Sequence, residues 1–313
     1  MRWPLIRYIP KQTNFKFVRF ARLAAFISVI LVIGSLISLF TRGLNLGVDF
    51  KGGTILEASW SKPINLGAVR DKLGPEKLGD LQVQNFGSST EALIRFQPPA
   101  NADASTTVDR IKGELREIMP GVEFKRVEVV GPKVSGELFS AGISALAIAM
   151  GLVMLYVWFR FELQMGVGSI VALLHDIILT LGFLSITQIE FSLNSIAALL
   201  TIIGYSMNDT VVVFDRLREN LRKFKKMPLG DVIDLSTNET LSRTIITGLT
   251  TLLALIALTI LGGDTLFAFT VAMIFGVVIG TYSSIYVAAP FILIWAPKNR
   301  GENVKAEVVD VRP

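Results

Sequence analysis

Several uncharged, apolar runs reach or exceed the ~20 residues needed to cross a ~30 Å hydrocarbon layer, and this feature constrains the fold more than any other. Inside lipid every backbone polar group must be satisfied by the protein itself, so such runs specify spanning helices. Six spans follow: residues 23–41, 138–159 and 265–296 carry no charge, while 164–186, 191–218 and 240–261 are apolar runs that hold a few ionisable residues. Of 313 residues, 51% are hydrophobic and 18% charged, and the charges are gathered into a few segments. The pattern predicts an α-helical polytopic membrane protein with six transmembrane helices.

The charges set the expected orientation. Residues 1–22 carry six basic side chains and no acidic ones, which places this N-terminal segment in the cytoplasm. The apolar run that follows leads into Thr41-Arg42-Gly43 without a small-residue cleavage site, so it reads as a retained first helix rather than a removed signal. Residues 216–226 hold Arg216, Arg218, Arg222, Lys223, Lys225 and Lys226 against Glu219 alone, a second cytoplasmic segment. The polar tail, 297–313, falls on the same side, so both termini are expected in the cytoplasm.

Residues 42–136 are different material, with 13 basic and 12 acidic residues and short strand-like runs. Strands are expected at 54–60, 81–86, 91–96 and 122–130, and helices at 65–73 and 103–118. In the second helix Val108, Ile111, Leu115 and Ile118 share an apolar face. The order βαββαβ predicts a small ferredoxin-like α+β domain on the periplasmic side, between helices 1 and 2. At its start, Gly47-Val48-Asp49-Phe50-Lys51-Gly52-Gly53 lacks the context of a phosphate loop, and no helix evidently follows it. The plain reading is a membrane-exit turn whose glycines supply positive φ.

Four ionisable residues are expected inside the apolar layer: His175 and Asp176 in helix 3, Asp209 in helix 4 and Arg243 in helix 5. Such residues are expensive in lipid and usually carry ions, protons or substrate. At helical spacing Thr201, Tyr205, Asp209 and Arg216 fall on one face with Asn208 beside it. Counted along antiparallel spans, Asp209 and Arg243 reach similar depth. They are expected either to form a static ion pair that fixes packing or to act as a titrating site. His175 and Asp176 point about 100° apart as helix neighbours and are not expected to face one cavity.

Other chemistries are poorly supported. A chain without cysteine and with one histidine offers neither a disulfide framework nor a histidine-based metal site. The formal charge of +5 lies beside apolar spans, where orientation explains it, so nucleic acid is not expected as a partner. No serine sits in a nucleophile-elbow context, so no hydrolase and no cofactor are expected.

Three motifs then resemble one family. Gly47-Val48-Asp49-Phe50-x-Gly-Gly after the first helix, Gly204-Tyr205-Ser206-Met207-Asn208-Asp209-Thr210 with the following Asp215-Arg216, and Leu241-Ser242-Arg243-Thr244 are similar to the SecD/SecF family of protein-export membrane proteins, in the resistance-nodulation-division superfamily. The resemblance implies a bacterial inner-membrane subunit that is not an enzyme. It implies partnership with SecD, the SecYEG translocon, the translocating preprotein and the lipid bilayer, and work driven by the proton-motive force. It implies Asp209, Arg243 and Asn208 as the proton path, His175, Asp176, Asp215, Arg216 and Tyr205 as secondary candidates, and Gly47, Asp49, Phe50, Gly52 and Gly53 as a motif at the base of the periplasmic domain. A non-coupled scaffold of the translocon and half of a small-molecule or lipid efflux transporter are the alternatives.

Overall fold

The computed structural model describes residues 13–76, 78–99 and 103–295. The first half of the basic N-terminal segment and the polar tail expected over 297–313 lie outside the described residues. Among the described residues, six helices are long and apolar enough to span a membrane: α1 (Phe17–Thr41), α5 (Pro132–Arg160), α6 (Leu163–Thr187), α7 (Leu193–Lys223), α8 (Leu229–Leu261) and a sixth that begins as α9 (Asp264–Ser283). The chain is therefore a multi-pass membrane protein. Between α1 and α5 lie a short helix α2 (Val48–Lys51), β1 (Gly53–Ser59), α3 (Leu66–Leu73), β2 (Gly79–Phe86), β3 (Ser88–Gln97), α4 (Ala104–Ile118) and β4 (Glu123–Val130).

The small domain has the expected βαββαβ order. Its sheet runs β2-β3-β1-β4, all neighbours antiparallel, which is the ferredoxin-like arrangement. Alternation along the strands divides the apolar residues between two faces. Leu56, Ala58, Ala92, Ile94 and Phe96 pack against Val69 and Leu73 of α3 and Val108, Ile111 and Leu115 of α4. Ile55 and Leu93, one residue out of phase, turn to the other face and meet Val48 of α2. Both helices are capped by a side chain: Asn65 accepts from Gly67 and Ala68 N–H, and Asp103 from Thr106 N–H.

In the bundle, α6 and α7 are the inner helices. About half or more of their apolar stretches is buried, whereas α5 and α8 present almost all of theirs outward. Small residues set the close approaches. A Cβ at Gly276 of α9 would lie 2.3 Å from Ile202 Cδ1, and one at Gly280 3.1 Å from Ser206 Cβ, so α9 lies directly against α7. Ala141, Ala145 and Ala149, four residues apart on α5, face mainly outward; α5 approaches α7 at Gly142, where an added Cβ would meet Ile196.

Several boundaries differ from expectation for physical reasons. Helix α7 continues through the basic stretch to Lys223, and α8 begins at Leu229, because hydropathy marks the lipid segment and not the end of hydrogen bonding. The sixth span widens into a π turn over Ser284–Ala288 just before Pro290, whose missing N–H cannot continue the ladder. A helical turn, α2, does follow Gly47; at four residues it is too short to have left a periodic signal.

The Asp103 cap gives a pH signature in the domain. Hydrogen bonds from Ser105, and from the N–H and hydroxyl of Thr106, hold its carboxyl below the ordinary 3.8. A depressed pKa in the folded state stabilises above the unfolded value, and that contribution disappears as pH falls through the folded value. Amide protection in the first turn of α4, corrected for intrinsic exchange, is expected to drop below pH 3.8 in the wild type and to stay flat in Asp103→Asn. The same pH dependence in both would contradict the assignment.

Candidate functional site in the membrane and its link to the domain

Two buried carboxylates sit in the bundle in different states of satisfaction. Asp176 of α6 is fully enclosed. Its Oδ2 accepts hydrogen bonds from Ser206 Oγ of α7 at 2.5 Å and Ser283 Oγ of α9 at 2.7 Å, and its Oδ1 lies 2.9 Å from His175 Nδ1. Thr210 and Ser284, paired at 2.9 Å, extend the polar seam between α7 and the π turn. This network joins three helices across the core. The expectation that His175 and Asp176 face apart is corrected: both are buried, and the His175 imidazole meets the neighbouring carboxylate through Nδ1.

Asp209 of α7 is 4% exposed. Its Oδ1 accepts from Thr244 Oγ1 of α8 at 3.1 Å, while its Oδ2 is buried without a hydrogen-bond partner. One turn toward the domain, the buried Tyr205 hydroxyl faces the Thr251 side chain of α8 without a close hydrogen bond. It lies near Thr281 Oγ1 of α9, both oxygens within 3.7 Å of the position a Cβ on Gly248 would take. A half-satisfied carboxylate in a buried setting responds to any added donor or charge. Asp209 and Tyr205 therefore form an incompletely bonded seam between α7 and α8.

The expected ion pair between Asp209 and Arg243 is absent among the described residues. Arg243 is exposed, and the residue that reaches Asp209 is its neighbour Thr244. Depth counting placed both residues at the right height but could not fix azimuth, and only one of two adjacent residues can face α7. Asn208 is likewise exposed, on a stripe with Ala197, Thr201 and Gly204. Asp215 and Arg216 lie apart from this seam, in surface pairs at the other end of α7: Asp215 with Arg160 at 2.5 Å, and Arg216 with Glu239 at 2.7 Å and Glu219 at 2.5 Å.

The glycine motif ties the small domain to the start of α7. Asp49 Oδ2 accepts the Leu193 N–H at 2.9 Å, a carboxylate at the N-terminal, electropositive end of a helix. Gly47 N–H donates to Phe191 O at 2.9 Å and Phe191 N–H to Asn45 O at 2.8 Å. Phe50 packs between Phe139 of α5 and Phe191, ring centroids 5.5 and 5.6 Å away. Arg95 of β3 completes the joint through an ion pair with Glu190 in the α6–α7 turn. Gly52 and Gly53 hold φ of +71° and +126°, which lets α2 feed straight into β1. Arg95, Glu190 and Ser283 were not singled out from sequence, and Ser206 and Thr244 stood in the resembling motifs with no role assigned. Arg95 resembles any surface cation of the domain, and serines and threonines in membrane helices carry no signal until their neighbours are known.

Comparison with known proteins gives a consistent result. Residues 110–298 match the family described as Protein export membrane protein SecD/SecF, C-terminal, and residues 37–64 match the SecD/SecF GG Motif. The chain is 42% identical to Protein translocase subunit SecF of Rickettsia bellii (strain OSU 85-389), over 94% of this chain and 97% of that one. It is 46% identical to Protein translocase subunit SecF of Magnetococcus marinus, over 97% and 98%. Among solved structures it resembles SecDF, a translocon-associated membrane protein from Thermus thermophilus, at TM-score 0.83 and 34% identity, and SecDF in a super-membrane-facing form at 0.69 and 33%. The match covers 94% and 98% of this chain but spans 40% and 41% of those longer chains.

A direct check of the joint follows from Gly53. A Cβ there would lie 2.9 Å from Phe96 O at a φ that L residues avoid. Gly53→Ala is expected to destabilise the domain by about 1–3 kcal/mol, read as a lower thermal midpoint of the purified protein, and Gly43→Ala, with open space around its Cβ, by less. Equal midpoints for the two variants would remove Gly53 from the joint.

Proposed function

The chain belongs to the SecD/SecF family of protein-export membrane proteins, and from that premise we propose that it is a SecF-type subunit of the Sec translocase. In this reading it works with a SecD-type partner and the SecYEG translocon in a bacterial inner membrane, both termini in the cytoplasm and the small domain outside. It promotes late export of a preprotein on the energy of the proton gradient. The observation that carries the coupling is Asp209: buried, bonded through one oxygen only, and placed in a helix whose N-terminus is capped by the domain's Asp49.

Protons arriving from the outer side pass the Tyr205 hydroxyl and neutralise Asp209. Neutralisation weakens the bond from Thr244, because a hydrogen bond to a charged acceptor is worth roughly twice one to a neutral acceptor. The α7–α8 contact relaxes, and α7 carries the change about 24 Å, 16 residues at 1.5 Å each, to Leu193 and Asp49. Release of the proton to the cytoplasm restores the bond. A proton crossing ~100 mV supplies ~2.3 kcal/mol, which shifts a two-state equilibrium about fiftyfold. Arg243 and Asn208, each one residue before a member of the Asp209–Thr244 pair, are exposed on the side where a second six-helix half would close the path. The small residues of the α7 stripe, Ala197 and Gly204, favour close docking of such a half.

A non-coupled scaffold would need the membrane charges only for packing. Asp176, with its oxygens fully used, fits that description, and Asp209 does not. Efflux is not supported by the named relatives, which are translocase subunits over nearly their whole length.

The test is translocation of a model preprotein into vesicles after ATP-driven insertion, with and without a proton gradient, for assembled complexes carrying wild type or Asp209→Asn. The variant is expected to assemble and to fall to the level seen without a gradient. Retention of the gradient-dependent component would sink the coupling role and leave the scaffold.

A further inference from the structure

At the end of the bundle opposite the domain, a cationic recess and an apolar groove share a wall. The α5–α6 turn brings Arg160 against α7, where it meets Asp215 at 2.5 Å. Past that pair, Arg218, Arg222 and Lys223 line an open recess of 560 Å³. Glu219, on the same recess, is engaged by Arg216 at 2.5 Å. Among the described residues, Arg218, Arg222 and Lys223 have no carboxylate partner, and Arg218 Nε is buried without a hydrogen-bond acceptor. The recess holds more positive charge than its own acids neutralise, and one of its donors lacks an acceptor.

The shared wall is Arg160–Phe161. The Arg160 guanidinium lies 5.1 Å from the Phe161 ring centre, and that ring meets Phe214 edge-on at 5.8 Å. On the far side Trp158, Leu163, Gly166 and Ile170 line an apolar groove of 150 Å³ between α5 and α6. Trp158 is 66% and Leu163 64% exposed, so the groove opens outward along the membrane face of the helices. Orientation rules account for the number of cations at this end but not for an apolar slot beside unpaired ones. A soluble anion would use the recess and ignore the groove, and an apolar helix would fill the groove and leave the cations unpaired. A molecule with an anionic head and an acyl chain satisfies both.

We propose that this recess and groove bind one anionic phospholipid, its phosphate on Arg218 and Arg222 and an acyl chain along Trp158, Leu163 and Ile170. The site lies beside the α7–α8 connection, so an occupied site would brace the end of α7 remote from the domain.

The test is native mass spectrometry of the full chain in detergent, titrated separately with phosphatidylglycerol, phosphatidylethanolamine and glycerol 1-phosphate. Phosphatidylglycerol is expected to bind best. Each cation near a lipid surface is worth about fivefold in affinity, so Arg218→Gln/Arg222→Gln is expected to lose about twenty-fivefold. Lys225→Gln/Lys226→Gln, which removes equal charge from the same connection outside the recess, is expected to lose several-fold less. Leu163→Asn is expected to weaken phosphatidylglycerol and leave glycerol 1-phosphate unchanged. If the double arginine variant does not fold, exposed Arg222→Gln alone provides the comparison. Equal binding of the two phospholipids, equal losses in the two double variants, or glycerol 1-phosphate binding as tightly as phosphatidylglycerol would each overturn the proposal.

Discussion

The hydrogen bond from Leu193 N–H to the Asp49 carboxylate lies at the centre of the joint between two unlike parts of the chain. On one side is a ferredoxin-like domain with its own core; on the other is a helical bundle whose inner helices are α6 and α7. The bond places a negative charge on the electropositive end of α7 and so orients the domain relative to the helix that carries Asp209. Phe50 between Phe139 and Phe191, and Arg95 on Glu190, surround the same point. The positive φ of Gly52 and Gly53 is the local condition for this geometry, because it lets the capping turn and β1 follow each other without a linker. Domain and α7 are therefore joined directly at this point, which the proposed transmission would require.

Within the bundle, the two carboxylates differ in how fully they are bonded, and the proposed proton role rests on that contrast. Asp176 has partners on its own helix, α7 and α9, and breaking that network would leave a charge stranded in the core. Asp209 has one donor and one free oxygen. A site that must gain and lose a proton has to be stable in both states, and an incompletely bonded carboxylate meets that condition better than a saturated one. The two sites share α7, through Ser206 and Asp209 three residues apart, so the saturated network also fixes the helix face on which the unsaturated one is presented.

Long-period patterns were legible in the sequence and pairings were not. Apolar run length gave six spans, and alternation with turn signals gave the βαββαβ order, because both reflect burial averaged over many residues. Asp209 stood out because a carboxylate in an apolar run is energetically conspicuous. The partner on α8 was missed by one residue: counting along an axis gives height, and the 100° between Arg243 and Thr244 decides which of them faces α7. Asp49 and Leu193 are 144 residues apart, and nothing local to either marks the contact. The same holds for Ser206 and Ser283 on Asp176. The extension of α7 through the basic stretch was hidden because charge ends a membrane span without ending a helix.

The central claim is that the protonation state of Asp209 is felt by the domain through Asp49. The chain contains no cysteine, so Arg116→Cys on α4 and Leu261→Cys at the domain-side end of α8 supply two unique spin-label sites whose separation can be measured by pulsed electron resonance in the assembled complex. The expected result is a shifted distance distribution when Asp209→Asn is introduced, and loss of that shift when Asp49→Ala is added. Identical distributions for Asp209 and Asp209→Asn would contradict the claim.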